Sequence, residues 1–275
     1  MLTYGNHFIG KRNNYFLSFY DPYNPLHLPA NTLRVRVNDG NPPVKSISLT
    51  SYETATLVAG TTDVYDVYKS GDSFKYILYG SSNVIEVLGA NTTGISDMES
   101  MFHDCTSLVT IPLFDTSDVT NMTNMFANCW VLSSVPLFDT SNVTNMAGMF
   151  QITKALTTIP LLDTSNVTNM DYMFDLCESL ISVPLFDTSN VTSMVAMFYE
   201  CASLVTVPLL DTSNVTNMTA MFVRCYAVES GALALYQQAS TQTNPPSSHS
   251  NTFRDCGSNT TTGAAELAQI PSDWK

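Results

Sequence analysis

The stretch Pro136–Phe150, PLFDTSNVTNMAGMF, is repeated along the chain with few changes. Its closing Met-Phe pair occurs six times, each 24 residues after the one before, beginning at Met101, Met125, Met149, Met173, Met197 and Met221. A fixed period of about 20–50 residues is typical of solenoids, in which each repeat packs on its neighbours to bury a shared core. The repeat therefore predicts a stack of 24-residue coils over much of the chain.

Apolar residues recur at fixed positions of the repeat and predict the core of this stack. They are the Met residues, the Phe after the second Met, a Leu, an Ile or Val, and the Leu of each Pro-Leu pair, such as Leu113. In a solenoid such positions point inward, where like side chains stack on one another. We therefore expect all of them to be buried. A soft, methionine-lined binding groove is the alternative interpretation of the Met positions.

Five of the six cysteines occupy one position of the repeat, three residues after the Phe, and Thr153 fills it in the third coil. A small residue that alternates with Thr is typical of space filling, so we expect a column of buried free thiols. Parallel side chains in a stack suit a disulfide poorly. One Cys per coil cannot supply the tetrahedral ligands of a zinc site.

Each repeat also carries the polar phrase Asp-Thr-Ser-Asn, or Asp-Thr-Ser-Asp in the first. Such residues bond to nearby backbone in tight turns, so each Asp is expected to cap a corner and each Asn to bond a neighbouring coil. Calcium binding by the column of carboxylates is the alternative. The Asn-Val-Thr sequons recur because the repeat recurs, and we interpret them as turn chemistry. The Asp column comprises Asp115, Asp139, Asp163, Asp187 and Asp211.

The charge of the chain is concentrated in the repeats. The net charge is −13; residues 1–94 carry seven basic and seven acidic side chains, whereas residues 95–275 carry four and 17. An array this acidic repels a phosphate backbone, so we expect no nucleic acid partner. No run of 18 apolar residues occurs, which predicts no membrane span. The first residues also lack the pattern of a signal peptide.

The positions that vary between repeats are expected to face solvent and to hold any binding surface. Several carry large aromatic or acidic side chains, which interaction surfaces use. Scattered exposed aromatics without a function are the alternative. The candidate binding surface comprises Trp130, Tyr172, Tyr199, Tyr226, Asp171 and Glu200.

The phrase LFDTSNVTNMAGMF and the spacing MFxxCxxLxxxPxL resemble the BspA-type leucine-rich repeats over about residues 84–226. The chain departs from the general leucine-rich consensus in having few Leu and many Met. The resemblance implies a right-handed solenoid with a parallel sheet on one face and turns or short helices on the other. It also implies adhesion or protein recognition, usually outside the cell, in gut bacteria and their phages. It brings no catalytic residues.

The two ends of the chain differ from the repeats. TLRVRV, VKSISL, VYDVYK and FKYILY alternate with period two and predict an antiparallel β-sandwich of five or six strands. Beyond the repeats, a helix is expected from Glu229 to about Ser240. We therefore divide the chain into an arm at residues 1–25, a sandwich at 26–83, a solenoid at 84–225 and a cap at 226–275.

The N-terminal arm is dense in aromatic residues and is a candidate anchor in a larger assembly. Folding back onto its own domain is the alternative. The aromatic residues of the arm are Tyr4, Phe8, Tyr15, Phe16, Phe19, Tyr20 and Tyr23.

No nucleophile motif or phosphate-binding loop is present and the four His residues are scattered, so no enzyme and no cofactor are expected. The sequence favours a surface-recognition protein displayed on a phage virion, anchored by its N-terminal region with the solenoid outward. A secreted bacterial adhesin and a purely structural decoration protein are the alternatives. The expected partners are a protein or glycan on a bacterial or host surface, and virion proteins through the arm; self-association into a homo-oligomer is compatible with the sequence.

Overall fold

The computed structural model describes residues 27–43 and 52–275. Four strands lie near the start of this part of the chain: β1 (Thr32–Val37), β2 (Thr54–Leu57), β3 (Val64–Tyr68) and β4 (Val84–Asn91). They form one antiparallel sheet with strand order β2-β3-β1-β4. Alternation along β1 turns Leu33 inward and Arg34 outward, where Arg34 pairs with Asp66 of β3 at 2.6 Å.

The antiparallel character of this region is confirmed, but the sandwich is not. TLRVRV forms β1 and VYDVYK begins with β3, while VKSISL lies outside the described residues. Within residues 27–43 and 52–275 there is one antiparallel sheet and no second sheet. The division of the chain into four segments stays a prediction.

The strand expected at FKYILY is wrong, because residues 74–79 form turns instead. Tyr76 and Gly80 have positive φ values of 62° and 75°, which an extended strand does not allow. Ile77 N–H donates to the Phe74 carbonyl at 2.9 Å, closing a turn, and Leu78 N–H donates to Met101 at 3.1 Å. The segment is thus a coil turn stacked on the first Met-Phe pair, and stacking begins near Ser73.

Successive coils are joined by an alternating pattern of backbone hydrogen bonds. In the coil of Met122, alternate residues from Met122 to Asn128 donate their N–H groups to carbonyls of the following coil at 2.8–3.1 Å. The residues between them donate within the coil; Met125 N–H, for example, bonds the Met122 carbonyl at 3.2 Å. Of the seven N–H groups from Met122 to Asn128, four join coils and three bond within the coil, so each of them has a partner.

This alternation replaces the parallel sheet that the resemblance implies. One residue per coil, such as Asn121 opposite Asn145, forms a parallel bridge, and second bridges occur only at Glu86 opposite Thr110 and at Thr206 opposite Ser230 among the described residues. All of these bridges are isolated. Each Met-x-x-Met and Phe-x-x-Cys segment places its second variable residue at positive φ, for example Asn124 at 53° and Asn128 at 60°. A backbone that turns every two residues cannot offer a continuous strand edge.

The core runs without a break from the sheet through the coils. The Met, Phe and Cys positions, the Leu after the Cys and the Val after Asp-Thr-Ser-Asn are buried, as predicted. In the predicted Ile or Val column before the proline, Ile111 and Val183 are only half-buried. Phenylalanine rings stack face to face between adjacent coils with centroids 5.1–5.8 Å apart. The stacked rings are Phe102, Phe126, Phe150, Phe174, Phe198, Phe222 and Phe253.

Two helices and a short 3₁₀ turn follow the coils: α1 (Ala232–Thr241), α2 (Thr261–Gln269) and Ser272–Trp274. Helix α1 begins later than predicted because Gly231 has φ 98°, which is not helical. A Cβ at this position would lie 2.3 Å from the Val207 carbonyl oxygen, so the site requires glycine. The sequence did not predict α2. Trp274 is buried against the last coil, and its carbonyl accepts the Phe253 N–H at 2.9 Å.

Candidate binding surface

A row of exposed leucines runs along the coils and corrects the expectation that these residues are buried. Their side chains are 44–66% exposed. Each follows a proline; Leu137 is the middle residue of a three-residue turn in which Phe138 N–H donates to the Pro136 carbonyl at 3.0 Å. The turn sends Leu137 outward and Phe138 inward. We call this row the leucine ladder: Leu113, Leu137, Leu161, Leu185 and Leu209.

A row of carboxylates lies beside the leucine ladder, two residues further along each coil. We call Asp115, Asp139, Asp163, Asp187 and Asp211 the aspartate ladder. In Asp163, Oδ1 accepts from the Ser165 N–H at 3.0 Å and from its hydroxyl at 2.7 Å. The aspartates therefore cap the corners of their coils, as predicted.

The outer oxygens of the aspartate ladder remain available. Among residues 27–43 and 52–275, Oδ2 of Asp115, Asp139, Asp163 and Asp187 accepts no hydrogen bond, and no basic side chain pairs with the ladder. The Ser165 hydroxyl lowers the pKa of Asp163, and the Ser189 hydroxyl lowers that of Asp187. Both carboxylates are thus ionised at neutral pH.

The remaining polar residues of the phrase fix the spacing of both ladders. Thr140 donates its hydroxyl to the Asp163 carbonyl of the following coil at 2.8 Å, and Asn166 donates its amide to the Ser141 carbonyl of the preceding coil at 2.7 Å. The predicted bond from Asn to a neighbouring coil is therefore present. Equivalent bonds recur from Thr116 to Thr188 and from Asn142 to Asn214, and they tie the ladder segments of adjacent coils together.

Adjacent coils enclose shallow notches between the two ladders. One notch of about 210 Å³ is lined by Leu113, Leu137, Asp115 and Asp139, among others. A second, of about 330 Å³ and two coils further along, has the equivalent walls, Leu161, Leu185, Asp163 and Asp187. Each notch combines an apolar wall with two carboxylates from neighbouring coils.

The aromatic residues predicted to form the binding surface do not share one position of the repeat. Trp130 and Tyr172 are 51% and 43% exposed and occupy different positions of their coils. Tyr199 and Tyr226 are half-buried. The four aromatics occupy three positions, because only Trp130 and Tyr226 share one, directly after the Cys.

The two predicted acidic residues contact neighbouring coils. Asp171 Oδ1 accepts from the Ser193 hydroxyl at 2.6 Å and from Val195 N–H at 2.7 Å. Glu200 pairs with Arg224 at 2.5 Å. Both carboxylates are thus used in coil-to-coil contacts. The aromatic arm, residues 1–25, lies outside the described residues.

The cysteine column is buried and its thiols are free. Each thiol donates to a backbone carbonyl of the preceding coil; Cys129 Sγ, for example, lies 3.1 Å from the Phe102 oxygen. Burial raises the pKa of the column's thiols and brings that of Cys256 to about 12. Thiols this hard to ionise are poor nucleophiles and metal ligands.

The described part of the chain contains no group of three or more His, Cys, Asp or Glu side chains arranged to hold a metal ion. None of the helices in that part combines the length and the apolar character needed to cross a membrane.

The fold and this surface define a mainly β protein built from stacked 24-residue coils, with few helices and an antiparallel sheet at one end. The family model described as "Mycoplasma protein of unknown function, DUF285" matches residues 72–158 and 131–234. The chain therefore belongs to this family, which agrees with the resemblance to BspA-type repeats. The first match begins at residue 72, where stacking begins in the structure.

Among solved structures, the chain is similar to a leucine-rich repeat protein from Eubacterium ventriosum ATCC 27560, with 18% identity and a TM-score of 0.44. The similarity covers 69% of this chain and 44% of that one, so the chain spans less than half of that protein's length. No curated protein matches the chain.

Proposed function

We propose that this chain is a non-enzymatic surface-recognition protein that binds a macromolecule through the leucine ladder and the aspartate ladder. The exposed leucine ladder carries this proposal. Five leucines at one position of successive coils, each 44–66% exposed, form a regular apolar row that no described residue covers. Ordered apolar rows rimmed by polar groups are typical of interaction sites.

The structure of the ladder supports a binding role over a packing role. Core positions of the same coils are almost completely buried, so the stack does not need these leucines for its interior. The turn at Pro136–Phe138 presents Leu137 to solvent by backbone bonding, and the same bond recurs at Pro160 and Pro208. Partner binding would remove this apolar area from water, at about 25 cal/mol per Å².

A cell-binding measurement tests the proposal. Fluorescently labelled protein is incubated with gut bacteria and with epithelial cells, and bound fluorescence is measured by flow cytometry. We expect binding that Leu161→Asp with Leu185→Asp abolishes, because a charge replaces the apolar contact. The matched control, Tyr172→Ala with Tyr199→Ala, is expected to bind as wild type does.

Two outcomes would contradict the proposal. The function itself fails if wild-type protein binds neither cell type. The assignment of the surface fails if the tyrosine pair abolishes binding and the leucine pair does not, because the scattered aromatic residues would then be the binding surface. Circular dichroism of both double variants checks that the coils are intact.

We further propose display on a phage virion, with the N-terminal region as the anchor and the coils outward. The seven aromatic residues among residues 1–25 support an anchoring role, because aromatic side chains are enriched in buried interfaces. Deletion of residues 1–25 is expected to release the protein from particles while cell binding is retained. Recovery from a bacterial envelope, with none on purified virions, would instead support the secreted adhesin.

A further inference from the structure

We propose that the notches between the leucine ladder and the aspartate ladder bind lysine side chains of an extended segment of a partner protein. This inference rests on the proposed function and names the chemistry of the partner.

The composition of each notch matches the two parts of a lysine side chain. Leu161 and Leu185 form the apolar wall, and Asp163 and Asp187 place two carboxylates at its edge. A lysine packs its four-carbon stem along apolar surface while keeping its ammonium group in a polar setting. The leucines would therefore contact the stem and the two aspartates the ammonium.

The hydrogen bonds of the aspartates favour lysine over arginine. Arginine binds a carboxylate best through two parallel bonds to both oxygens. In Asp163 and Asp187, Oδ1 is already bonded to the N–H and hydroxyl of Ser165 and Ser189. One outer oxygen per coil remains, and a compact ammonium can contact two such oxygens from adjacent coils.

Charge complementarity supports a basic partner. Residues 95–275 carry 17 acidic and four basic side chains, and the ladder carboxylates have no basic partner among the described residues. Asp187 is close enough to Asp163 to repel it electrostatically. A cation bound between them would relieve this repulsion, and the excess negative charge would attract a basic segment from a distance.

The distance between notches favours one backbone conformation for the bound partner segment. Stacked chains lie about 4.8 Å apart, so notches two coils apart are separated by about 9.6 Å. A polyproline II segment rises about 3.1 Å per residue with three residues per turn, which places every third side chain on one side at about 9.3 Å intervals. A lysine at every third position would therefore enter alternate notches.

The experiment uses a fluorescein-labelled peptide of three Lys-Pro-Ser repeats, titrated with the full chain at low salt and followed by fluorescence anisotropy. We expect saturable binding that weakens as salt is added. The triple variant Asp139→Asn, Asp163→Asn, Asp187→Asn should weaken binding about tenfold or more, because each substitution removes a carboxylate charge that faces an ammonium group. Asn keeps an acceptor for the serine groups, so the corners remain capped.

Two variants complete the test. A matched control removes three charges elsewhere, at Glu229→Gln, Asp255→Asn and Asp273→Asn, which are all exposed. It should bind as wild type does. Leu161→Ala with Leu185→Ala should weaken binding several-fold, since the stem loses its apolar wall.

The inference is overturned if the peptide does not bind, if both triple variants lose affinity equally, or if an Arg-Pro-Ser peptide or spermine binds as tightly. None of these results bears on the proposed function, which cell binding by wild-type protein tests separately. Cell binding that survives the ladder triple variant would likewise overturn the lysine inference. It would also remove the aspartate ladder from the proposed binding surface and leave recognition through the leucine ladder standing.

Discussion

The Thr153 hydroxyl donates to the Phe126 carbonyl at 2.8 Å, in the place where other coils use a cysteine thiol. Cys177, one coil further along, bonds the Phe150 carbonyl at 3.1 Å in the same way. The column therefore selects a small side chain that fills space and also donates a hydrogen bond. This explains why Thr and Cys interchange there.

Thr153→Val keeps the shape of the side chain but removes its donor, so the buried Phe126 carbonyl loses a partner. That carbonyl still accepts the Cys129 N–H at 3.2 Å, so we expect the free energy of unfolding to fall by about 0.5–1.5 kcal/mol. Urea denaturation followed by circular dichroism measures the change. Thr153→Cys, which retains a weak donor, should cost less; equal losses for both variants would contradict the role of the hydrogen bond.

Ile152 has φ 58°, a conformation that is costly for a β-branched residue. Asn128 occupies the same position one coil earlier with φ 60°, which Asn tolerates well. Ile152→Asn is therefore expected to stabilise the protein by about 1 kcal/mol, measured as a higher midpoint of urea unfolding. Ile152→Val keeps the strain and should give no gain, and a destabilised Asn variant would refute the argument.

Asp175 is buried, and this burial raises the pKa of its carboxyl group, although the Gln151 amide donates to it at 2.8 Å. The folded state therefore holds the proton more tightly than the unfolded state, and stability falls as the pH rises from the ordinary pKa through the raised one. Asp175→Asn should stabilise the protein at pH 7 and have little effect near pH 3.

Thermal unfolding at both pH values measures this difference. The exposed Asp273→Asn serves as the control and should change neither midpoint. A stabilisation of the Asp175 variant that is the same at pH 3 and pH 7 would mean that ionisation of the carboxyl group is not its cause.

Asp163 and Asp187 show the opposite dependence, because hydrogen bonds from Ser165 and Ser189 lower the pKa of both carboxyl groups. Their stabilising contribution is complete above the ordinary value of 3.8 and is lost as the pH falls through the lowered folded values. Asp163→Ala with Asp187→Ala should lower the thermal midpoint at pH 6 by more than at pH 2. If the difference in thermal midpoint between wild type and the double variant is the same at pH 2 as at pH 6, these hydrogen bonds are not its cause.

The sequence predicted the repeat architecture because its period is set by packing. Phe126 and Met122 must recur wherever a coil meets its neighbour, so the 24-residue spacing and the buried positions could be derived without coordinates. The corner role of Asp163 was equally predictable, since an Asp two residues before a Ser N–H bonds it locally.

Other features were not predictable because they depend on backbone turns. Leu137 is apolar and recurs in every repeat, as a core residue does. It points outward because the Phe138 N–H bonds the Pro136 carbonyl and closes a turn. The alternation of apolar and polar residues at Phe74–Tyr79 is typical of a strand, but Tyr76 has a positive φ and the segment forms a coil turn. The leucine ladder was therefore not predicted. One signal could have found it: in an extended segment, adjacent residues such as Leu137 and Phe138 point to opposite sides, so only one of the two can be buried.

The alternating backbone bonds of the coils also bear on how such a protein changes length. Every internal coil, such as that of Met122, offers the same donors to the coil after it and the same acceptors to the coil before it. Insertion or loss of 24 residues would leave every remaining coil with its full set of bonds. Unequal recombination between near-identical repeats can therefore change the number of ladder positions in whole steps. The valency of the surface would evolve independently of its chemistry.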